Sequence, residues 1–340
     1  MINTAIIAYG YAGRSLHAPL IALESRLRLS AVVARSAEKR DLAKQELNCT
    51  TYASVDECLR DQSIDLVVVT TPHDSHASIA IEALNAGKHV VVDKPMCMSL
   101  LECDAMIEAA RRANRLLTVF HNRRFDGDAF TFNTLLNDGA LGELKWLELG
   151  WNRFGLSKKS AWRNDVTLGG RVIDLGVHLF DRAIQFMGND TVARVQTRFQ
   201  HDWPHADVPS CATVTIELTS GRTAIIDVGS MSRYPKPQIV AVGTKATFVK
   251  FGEDPQEKAL LVGNIRAATY DSMFDGKLID ESGERIISTE PGDWTRFYSN
   301  VADAIEGKAQ QIVTLEQMRE VMRVVDAVMR GLRETSDHRL

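Results

Sequence analysis

Short β-rich runs alternate with segments of helical period over roughly the first 120 residues, and this alternation restricts the fold more than any other feature. Ala5–Ala8, Leu29–Ala34, Leu66–Thr70, His89–Val92 and Leu116–Phe120 read as strands. Between them Gly13–Glu24, Glu38–Leu47, Val55–Arg60, Ser75–Ala86 and Leu101–Ala113 carry apolar residues at helical spacing. Ser54-Val55-Asp56-Glu57 and Ser99-Leu100-Leu101-Glu102 match the capping box that marks helix starts. Strands separated by helices pair in parallel through right-handed crossovers. The pattern predicts an α/β domain built on a doubly wound parallel sheet.

The pattern changes from Glu143 onward. Leu144–Asn152, Val192–Gln200, Ala212–Leu218, Thr223–Val228, Gln238–Val242 and Ala246–Lys250 follow one another as strands, with Gly221 and Gly243 as turns. One helix, Leu175–Met187, interrupts them. Another closes the chain: Thr314-Leu315-Glu316-Gln317 caps it, and Leu315, Met318, Val321, Met322, Val325, Val328, Met329 and Leu332 form one apolar stripe suited to core packing. This predicts a C-terminal α+β domain with a mostly antiparallel open sheet. The division falls at 1–122 and 123–340, with helix 314–334 packing back. Residues 252–292 are polar and rich in glycine, and are expected to form long loops.

The chain has 340 residues, 45% hydrophobic, enough for two cores. With a net charge of −4 and no basic stripe, neither nucleic acid nor an acidic membrane surface is an expected partner. No apolar run nears the ~18 residues of a membrane span. No positive segment precedes the N-terminal apolar run, so no signal peptide is expected. Cys49, Cys58, Cys97, Cys103 and Cys211 are odd in number and lack Cys-x-x-Cys spacing. They read as reduced thiols of a cytoplasmic protein. His73-x-x-His76 and His201-x-x-x-His205 with Asp207 have ligand-like spacings, but the surrounding residues complete no zinc set, and no metal is expected.

After the first strand comes Ala8-Tyr9-Gly10-Tyr11-Ala12-Gly13, placed like the Gly-x-Gly-x-x-Gly fingerprint of a dinucleotide-binding Rossmann domain. Gly10 would let the backbone approach a pyrophosphate, and Gly13 would let the helix pack on the strand. Ala8 stands where the first glycine is usual, and fits if its φ is negative. NAD-binding chains carry a carboxylate at the end of the second strand for the ribose hydroxyl. Here that place reads Ala34-Arg35-Ser36. Arg35 can clamp a 2′-phosphate and Ser36 can donate to it, so NADP is expected over NAD.

Val91-Val92-Asp93-Lys94-Pro95-Met96 ends a buried run. A lysine at the mouth of a parallel strand reaches into the ligand crevice. Further on, Asp174 could cap a helix and His178 lies one turn later, a pair suited to proton transfer near neutral pH. A capping carboxylate and a satisfied core histidine would leave the same pattern. Cys97 reads as a buried structural thiol, or as one near enough to the site for thiol reagents to inhibit.

These stretches together resemble the glucose-fructose oxidoreductase / inositol dehydrogenase (Gfo/Idh/MocA) family over nearly the whole chain, and within it the NADP-type scyllo-inositol dehydrogenases. The resemblance is carried by Gly10-Tyr11-Ala12-Gly13 with His17-Ala18-Pro19, Thr71-Pro72 with His76, Asp93-Lys94-Pro95 and His121-Asn122-Arg123-Arg124-Phe125-Asp126. Trp162-Arg163, Asp174-Leu175-Gly176-Val177-His178, Phe248-Val249-Lys250-Phe251-Gly252 and Asp254-Pro255-Gln256-Glu257 complete it. It implies hydride transfer between a nicotinamide and a secondary alcohol of a cyclitol or sugar, with aldose or keto-sugar reduction by NADPH as the alternative. Lys94 would bond the reacting oxygen, His178 exchange the proton and Asp174 orient the substrate. The cofactor would lie on Tyr9, Gly10, Tyr11, Ala12, Gly13, Arg35, Ser36, Thr71, Pro72, His76, Asp93, Lys94 and Asn122. The substrate would meet Lys94, Arg123, Trp162, Arg163, Asp174 and His178. A cis Lys94-Pro95 bond, and a homodimer or homotetramer formed through the second domain's sheet, are also implied. Asp93 stands where glutamate is commoner. Arg171 and Ile173 depart from the subgroup beside the expected substrate. A relative that reads the dinucleotide only as a regulatory signal need not keep Lys94, Asp174 and His178, and this chain has all three.

Overall fold

Two strands of the first sheet carry runs of side chains wholly shielded from solvent: Leu66, Val67, Val68 and Val69 in one, and Val90, Val91 and Val92 in the next. Such runs, buried on both faces, are what a parallel sheet covered by helices requires. A computed structural model describes residues 1–155, 165–188, 190–203 and 206–337. In chain order the sheet and its helices are β1 (Ile2–Ile7), α1 (Ala18–Ala22), β2 (Leu27–Val33), α2 (Ala37–Leu47), β3 (Thr50–Tyr52), α3 (Val55–Arg60), β4 (Leu66–Val69), α4 (His76–Asn85), β5 (His89–Val92), α5 (Leu100–Ala113) and β6 (Leu117–Val119). The strands lie in the order β3-β2-β1-β4-β5-β6, and every pair is parallel. The order reverses between β1 and β4, so the loops after those two strands flank the switch point where such sheets bind ligands.

Local signals account for the helix starts. Ser54 accepts from the Glu57 N–H at 3.3 Å and Ser99 from the Glu102 N–H at 3.2 Å. The two glutamates reach back to the N–H groups of Ala53 and Met98, one residue before the cap. The helix after β1 runs from Tyr11 to Ala22, and its middle turn, Gly13–His17, is a π-helix.

The chain continues with α6 (Gly127–Asn137), β7 (Leu144–Asn152), α7 (Gly170–Phe186), β8 (Val192–Gln200), β9 (Cys211–Leu218), β10 (Thr223–Gly229), β11 (Ile239–Gly243), β12 (Thr247–Lys250) and α8 (Gln256–Leu261). Then come β13 (Gly276–Asp280), β14 (Gly283–Ile287), α9 (Thr295–Ile305) and α10 (Leu315–Asp337). Eight strands form the second sheet in the order β14-β13-β12-β11-β7-β10-β9-β8. Its pairs are antiparallel except β7 with β10. Alternate residues such as Val214, Ile216, Ala224, Ile226, Leu147 and Leu149 are buried on one face, as strand periodicity demands.

Two compact units result. One comprises Met1–Phe125, Gln256–Ala268 and Asp293–Arg319, and the other Asp126–Pro255, Thr269–Gly292 and the chain from Glu320 onward. A division at 122/123 follows the first long segment but not the two later returns. Helix α10 contributes to both units. The stripe of Met318, Val321, Met322, Val325, Val328, Met329 and Leu332 is buried, whereas Leu315 is half-buried. Residues 252–292 are not all loop, because β13 and β14 add two strands to the sheet's edge. No helix among the described residues is long and apolar enough to cross a membrane.

Candidate active site

The glycine loop after β1 is shaped by its neighbours. The Ala8 N–H donates to the Val33 carbonyl at 2.9 Å, and the Thr70 hydroxyl donates to the Ala8 carbonyl at 2.8 Å. Ala8 is thereby held at φ +77°, which corrects the expectation of a negative φ. A β-carbon on Gly13 would meet the Ala8 carbonyl, the Thr70 hydroxyl and Ile6, so helix and strand pack closely only because Gly13 has none. A β-carbon on Gly10 would meet nothing within 4 Å. Tight packing at Gly13 with open space over Gly10 is what a loop carrying a pyrophosphate needs. The residues present fit a dinucleotide.

The side chains around this loop have partners of their own. Tyr9 is buried and donates to Glu46 at 2.9 Å; burial, then the Glu46 carboxylate, raises its phenol above the ordinary range. Tyr11 is 54% exposed and donates to Glu257 at 3.0 Å. Ala12 precedes the π turn. Arg35 is exposed beyond β2, and Ser36 caps α2 by accepting from the Lys39 N–H. Arg40 donates to the carbonyls of Ala34 and Arg35 at 2.8 and 2.7 Å, a second cation at this turn that no sequence motif singles out.

Thr71 and Pro72 follow β4. His76 is wholly buried, and its ring nitrogens lie 2.8 Å from the Pro95 carbonyl and 2.9 Å from the Thr71 carbonyl. The ring therefore ties the loop after β4 to the loop after β5, instead of offering a nitrogen to a dinucleotide. At the mouth of β5 the Lys94 N–H donates to the Asp93 carboxylate at 2.9 Å. Burial would raise the Asp93 carboxyl, but His17, Lys94 and His76 outweigh it and bring it down to about 2. The Lys94-Pro95 bond is cis. Lys94 is half-buried. Cys97 is wholly buried, and its Cys103 neighbour and burial push the thiol far up, which favours the structural reading over the reactive one.

Asn122 and Arg123 are buried on the turn after β6. Arg123 pairs with Glu257 at 2.6 Å and lies over the Trp294 ring at 5.2 Å. Glu257 thus joins Tyr11 and Arg123. Gln256, beside it, donates to the Phe125 carbonyl and accepts from the Trp294 N–H. Gln256 and Glu257 stand out in the sequence only through the family resemblance, because several of these partners are more than a hundred residues away.

In the second unit Asp174 and His178 lie one turn apart on α7, 5% and 7% exposed. The helix begins at Gly170, so Asp174 is an interior residue and not its cap. Gly169 makes the early start: it sits at φ +76°, where a β-carbon would strike Ile173. The Trp151 ring stands 5.8 Å from that of His178. Trp151 donates to Glu253 at 3.1 Å, and Arg153 binds the same carboxylate. Arg182, also on α7, is buried against Asp126 and Asp128 with contacts of 2.8 Å. Trp162, Arg163 and His205 lie outside the described residues. Among the described residues no group of three or more His, Cys, Asp or Glu is placed to hold a metal.

Residues 2–121 match the family described as "Oxidoreductase family, NAD-binding Rossmann fold", and residues 133–337 match its "C-terminal alpha/beta domain". The chain is 34% identical to uncharacterized oxidoreductase YdgJ of Escherichia coli K12, over 96% of this chain and 94% of the relative. It is 30% identical to the scyllo-inositol 2-dehydrogenase (NADP(+)) IolW of Bacillus subtilis 168, over 98% and 94%. The crystal structure of an NAD-binding protein from Listeria innocua superposes with a TM-score of 0.82 at 27% identity, covering 98% of this chain and 95% of that one. With both halves of the chain matched in order, the protein belongs to the Gfo/Idh/MocA family of oxidoreductases.

Proposed function

We propose that the protein transfers a hydride between NADP(H) and a secondary alcohol or ketone of a cyclitol or sugar, with a scyllo-inositol-like polyol as the first candidate. The carrying observation is Lys94 at the mouth of β5 in a chain of this family that also has Asp174 and His178 one turn apart on α7. The printed name of the Bacillus subtilis relative supports both substrate class and cofactor. A bound nicotinamide supplies the hydride acceptor for oxidation and the donor for reduction.

The chain's own residues do the rest. Tyr9, Gly10, Tyr11, Ala12 and Gly13 present the loop that receives the pyrophosphate. Thr71, Pro72, Asp93 and Asn122 line the remainder of the cofactor's path. Arg35 clamps the 2′-phosphate, and Ser36, whose oxygen accepts the capping bond, keeps its hydroxyl hydrogen to donate. Lys94 stabilises the charge that develops on the reacting oxygen. His178 removes the hydroxyl proton in oxidation and returns it in reduction, while Asp174 orients the substrate. Arg123, Trp162 and Arg163 are further substrate contacts. Arg171 and Ile173, on α7 just ahead of Asp174, depart from the scyllo-inositol subgroup, which leaves a second reading, NADPH-dependent reduction of an aldose or keto sugar.

A homodimer or homotetramer in the cytoplasm completes the proposal. Trp146, Val242 and Ile279 are exposed and, with Thr247, fall in one row across β7, β11, β12 and β13, a surface suited to a second copy of the chain.

The test is the initial rate of nicotinamide reduction with scyllo-inositol, with NADP and NAD supplied separately. A fast NADP-selective rate supports substrate class and cofactor together. No rate with either removes the inositol assignment and sends the search to aldoses and keto sugars with NADPH.

A further inference from the structure

We infer that His17, anchored by Tyr298, is a positioning residue for Lys94 that acts through the Asp93 carboxylate. The inference rests on the reading of Lys94 as the residue that meets the reacting oxygen.

His17 sits on the π turn and is wholly buried. Its ring packs 4.3 Å from that of Phe120 and edge-on to that of Tyr298. The Tyr298 hydroxyl lies 2.6 Å from Nδ1. Tyr298 is itself wholly buried, and that burial raises its phenol well above the ordinary range. It therefore keeps its hydrogen, which it can donate to Nδ1; the ring proton is then on Nε2, the tautomer that suits a carboxylate facing Nε2. Nε2 has no hydrogen-bond partner. It faces Asp93 Oδ1 at 3.7 Å, the same oxygen that accepts the Lys94 N–H.

A buried polar nitrogen without a partner is costly, and an aliphatic side chain would fill the same space without that cost. The carboxylate is what the ring is aimed at. The groups facing Asp93 are His17, Lys94, His76 and the more remote Tyr298. With His17 in place the carboxylate oxygen that accepts the Lys94 N–H also meets the positive end of the ring dipole, and stays on the Lys94 backbone. Without it, the carboxylate can turn off that N–H, and the Lys94 backbone that carries the side chain to the reacting oxygen is no longer fixed.

The test uses His17→Leu, His17→Gln and Tyr298→Phe in the full chain. One readout is the carbon-13 resonance of the Asp93 carboxyl during acid titration, which needs no substrate. Two others are the NADPH dissociation constant by fluorescence and kcat on whichever polyol or keto sugar the wild type turns over. His17→Leu is expected to make Asp93 begin protonating above about pH 4, where the wild type does not. It should also lower kcat roughly tenfold or more, with NADPH affinity within about twofold. His17→Gln, whose amide can again point an N–H at Asp93, should recover most of the loss. Tyr298→Phe removes a single oxygen, and should shift both readouts in the same direction if His17→Leu does not fold. An Asp93 carboxyl that titrates in a folded variant as in the wild type overturns the inference. If the wild type turns over none of the compounds, the proposed function fails separately, and the Asp93 titration still decides this one.

Discussion

The carbonyl of Ala8 occupies the place where a β-carbon of Gly13 would go. One residue makes the other necessary. Ala8 turns its carbonyl toward the helix because it is held at φ +77°, and Gly13 is what allows the helix to approach. An L-residue in that backbone region costs about 1–2 kcal/mol. Ala8→Gly should therefore stabilise the protein by roughly 0.5–1 kcal/mol, after the greater freedom of an unfolded glycine is subtracted. Gly13→Ala should destabilise by several times as much, since backbone must move. Urea unfolding midpoints at constant slope measure both, and a loss of stability in Ala8→Gly would remove the strain argument.

Arg182 is bound between Asp126 and Asp128 with all three side chains at most 5% exposed. Burial alone would weaken the guanidinium's charge, but Asp128 and Asp126 outweigh it and keep it charged. Arg182→Met would remove the cation that both buried carboxylates contact, leaving Lys250 as the remaining positive charge acting on Asp128. The expected loss is about 3–5 kcal/mol in unfolding free energy. Asp126→Asn/Asp128→Asn/Arg182→Met should recover part of it, because the two carboxylates that lost their guanidinium are then neutral. A single substitution within about 0.5 kcal/mol of the wild type would mean that water reaches the cluster.

The sequence reads most clearly where one local pattern decides the outcome. His89–Val92 and Val55–Arg60 have the bounds that the sequence predicts, because an unbroken apolar run and a serine cap each act over a few residues. Thr50-Thr51-Tyr52 is a three-residue edge strand, too short to show a period. Gly276–Asp280 and Gly283–Ile287, the second of them the edge strand, carry charges at exposed positions and so read as loop. Helix α7 starts five residues before the expected Leu175, because the positive φ of Gly169 and Gly170 replaces a side-chain cap. Lys94 is a candidate from type and placement, whereas Asp174 and His178 become candidates only through the family resemblance. The pairs Arg123–Glu257 and His17–Tyr298 could not be named, since each joins residues that only tertiary folding brings together.

His89 makes stability depend on pH. Its Nδ1 accepts from the Leu116 N–H at 2.9 Å, which requires that nitrogen to be unprotonated. Burial, then the Arg115 charge, lowers the ring to about 4 from an ordinary value near 6.5. The unfolded chain therefore binds the extra proton first. Stability from this group is complete above about pH 6.5 and is lost progressively as pH falls toward about 4, by roughly 1–3 kcal/mol. His89→Gln supplies a carbonyl acceptor that does not titrate, and should flatten that part of the curve. An equal slope in both proteins would assign the effect elsewhere.

At the end of β2, the proposed preference for NADP rests on one exposed cation. Arg35 stands where an NAD-binding chain has a carboxylate, and Arg40 is already committed to the carbonyls of Ala34 and Arg35. Arg35→Asp would put a negative charge beside a 2′-phosphate and an acceptor beside a 2′-hydroxyl. The ratio of kcat/KM for NADP over NAD should fall at least about tenfold, mostly through KM for NADP. An unchanged ratio would take Arg35 out of the cofactor site.

The proposed role of Lys94 separates binding from chemistry. If its ammonium meets the reacting oxygen only as charge develops there, Lys94→Ala should lower kcat and kcat/KM together, by about 10²–10³. NADPH affinity should change little, because the Lys94 N–H bond to Asp93 is made by the backbone and survives the substitution. A higher KM with kcat unchanged would make Lys94 a ground-state contact instead. His178→Gln adds the second half of the test: a proton acceptor lost at His178 should steepen the dependence of kcat on added hydroxide, whereas loss of the Lys94 cation should not.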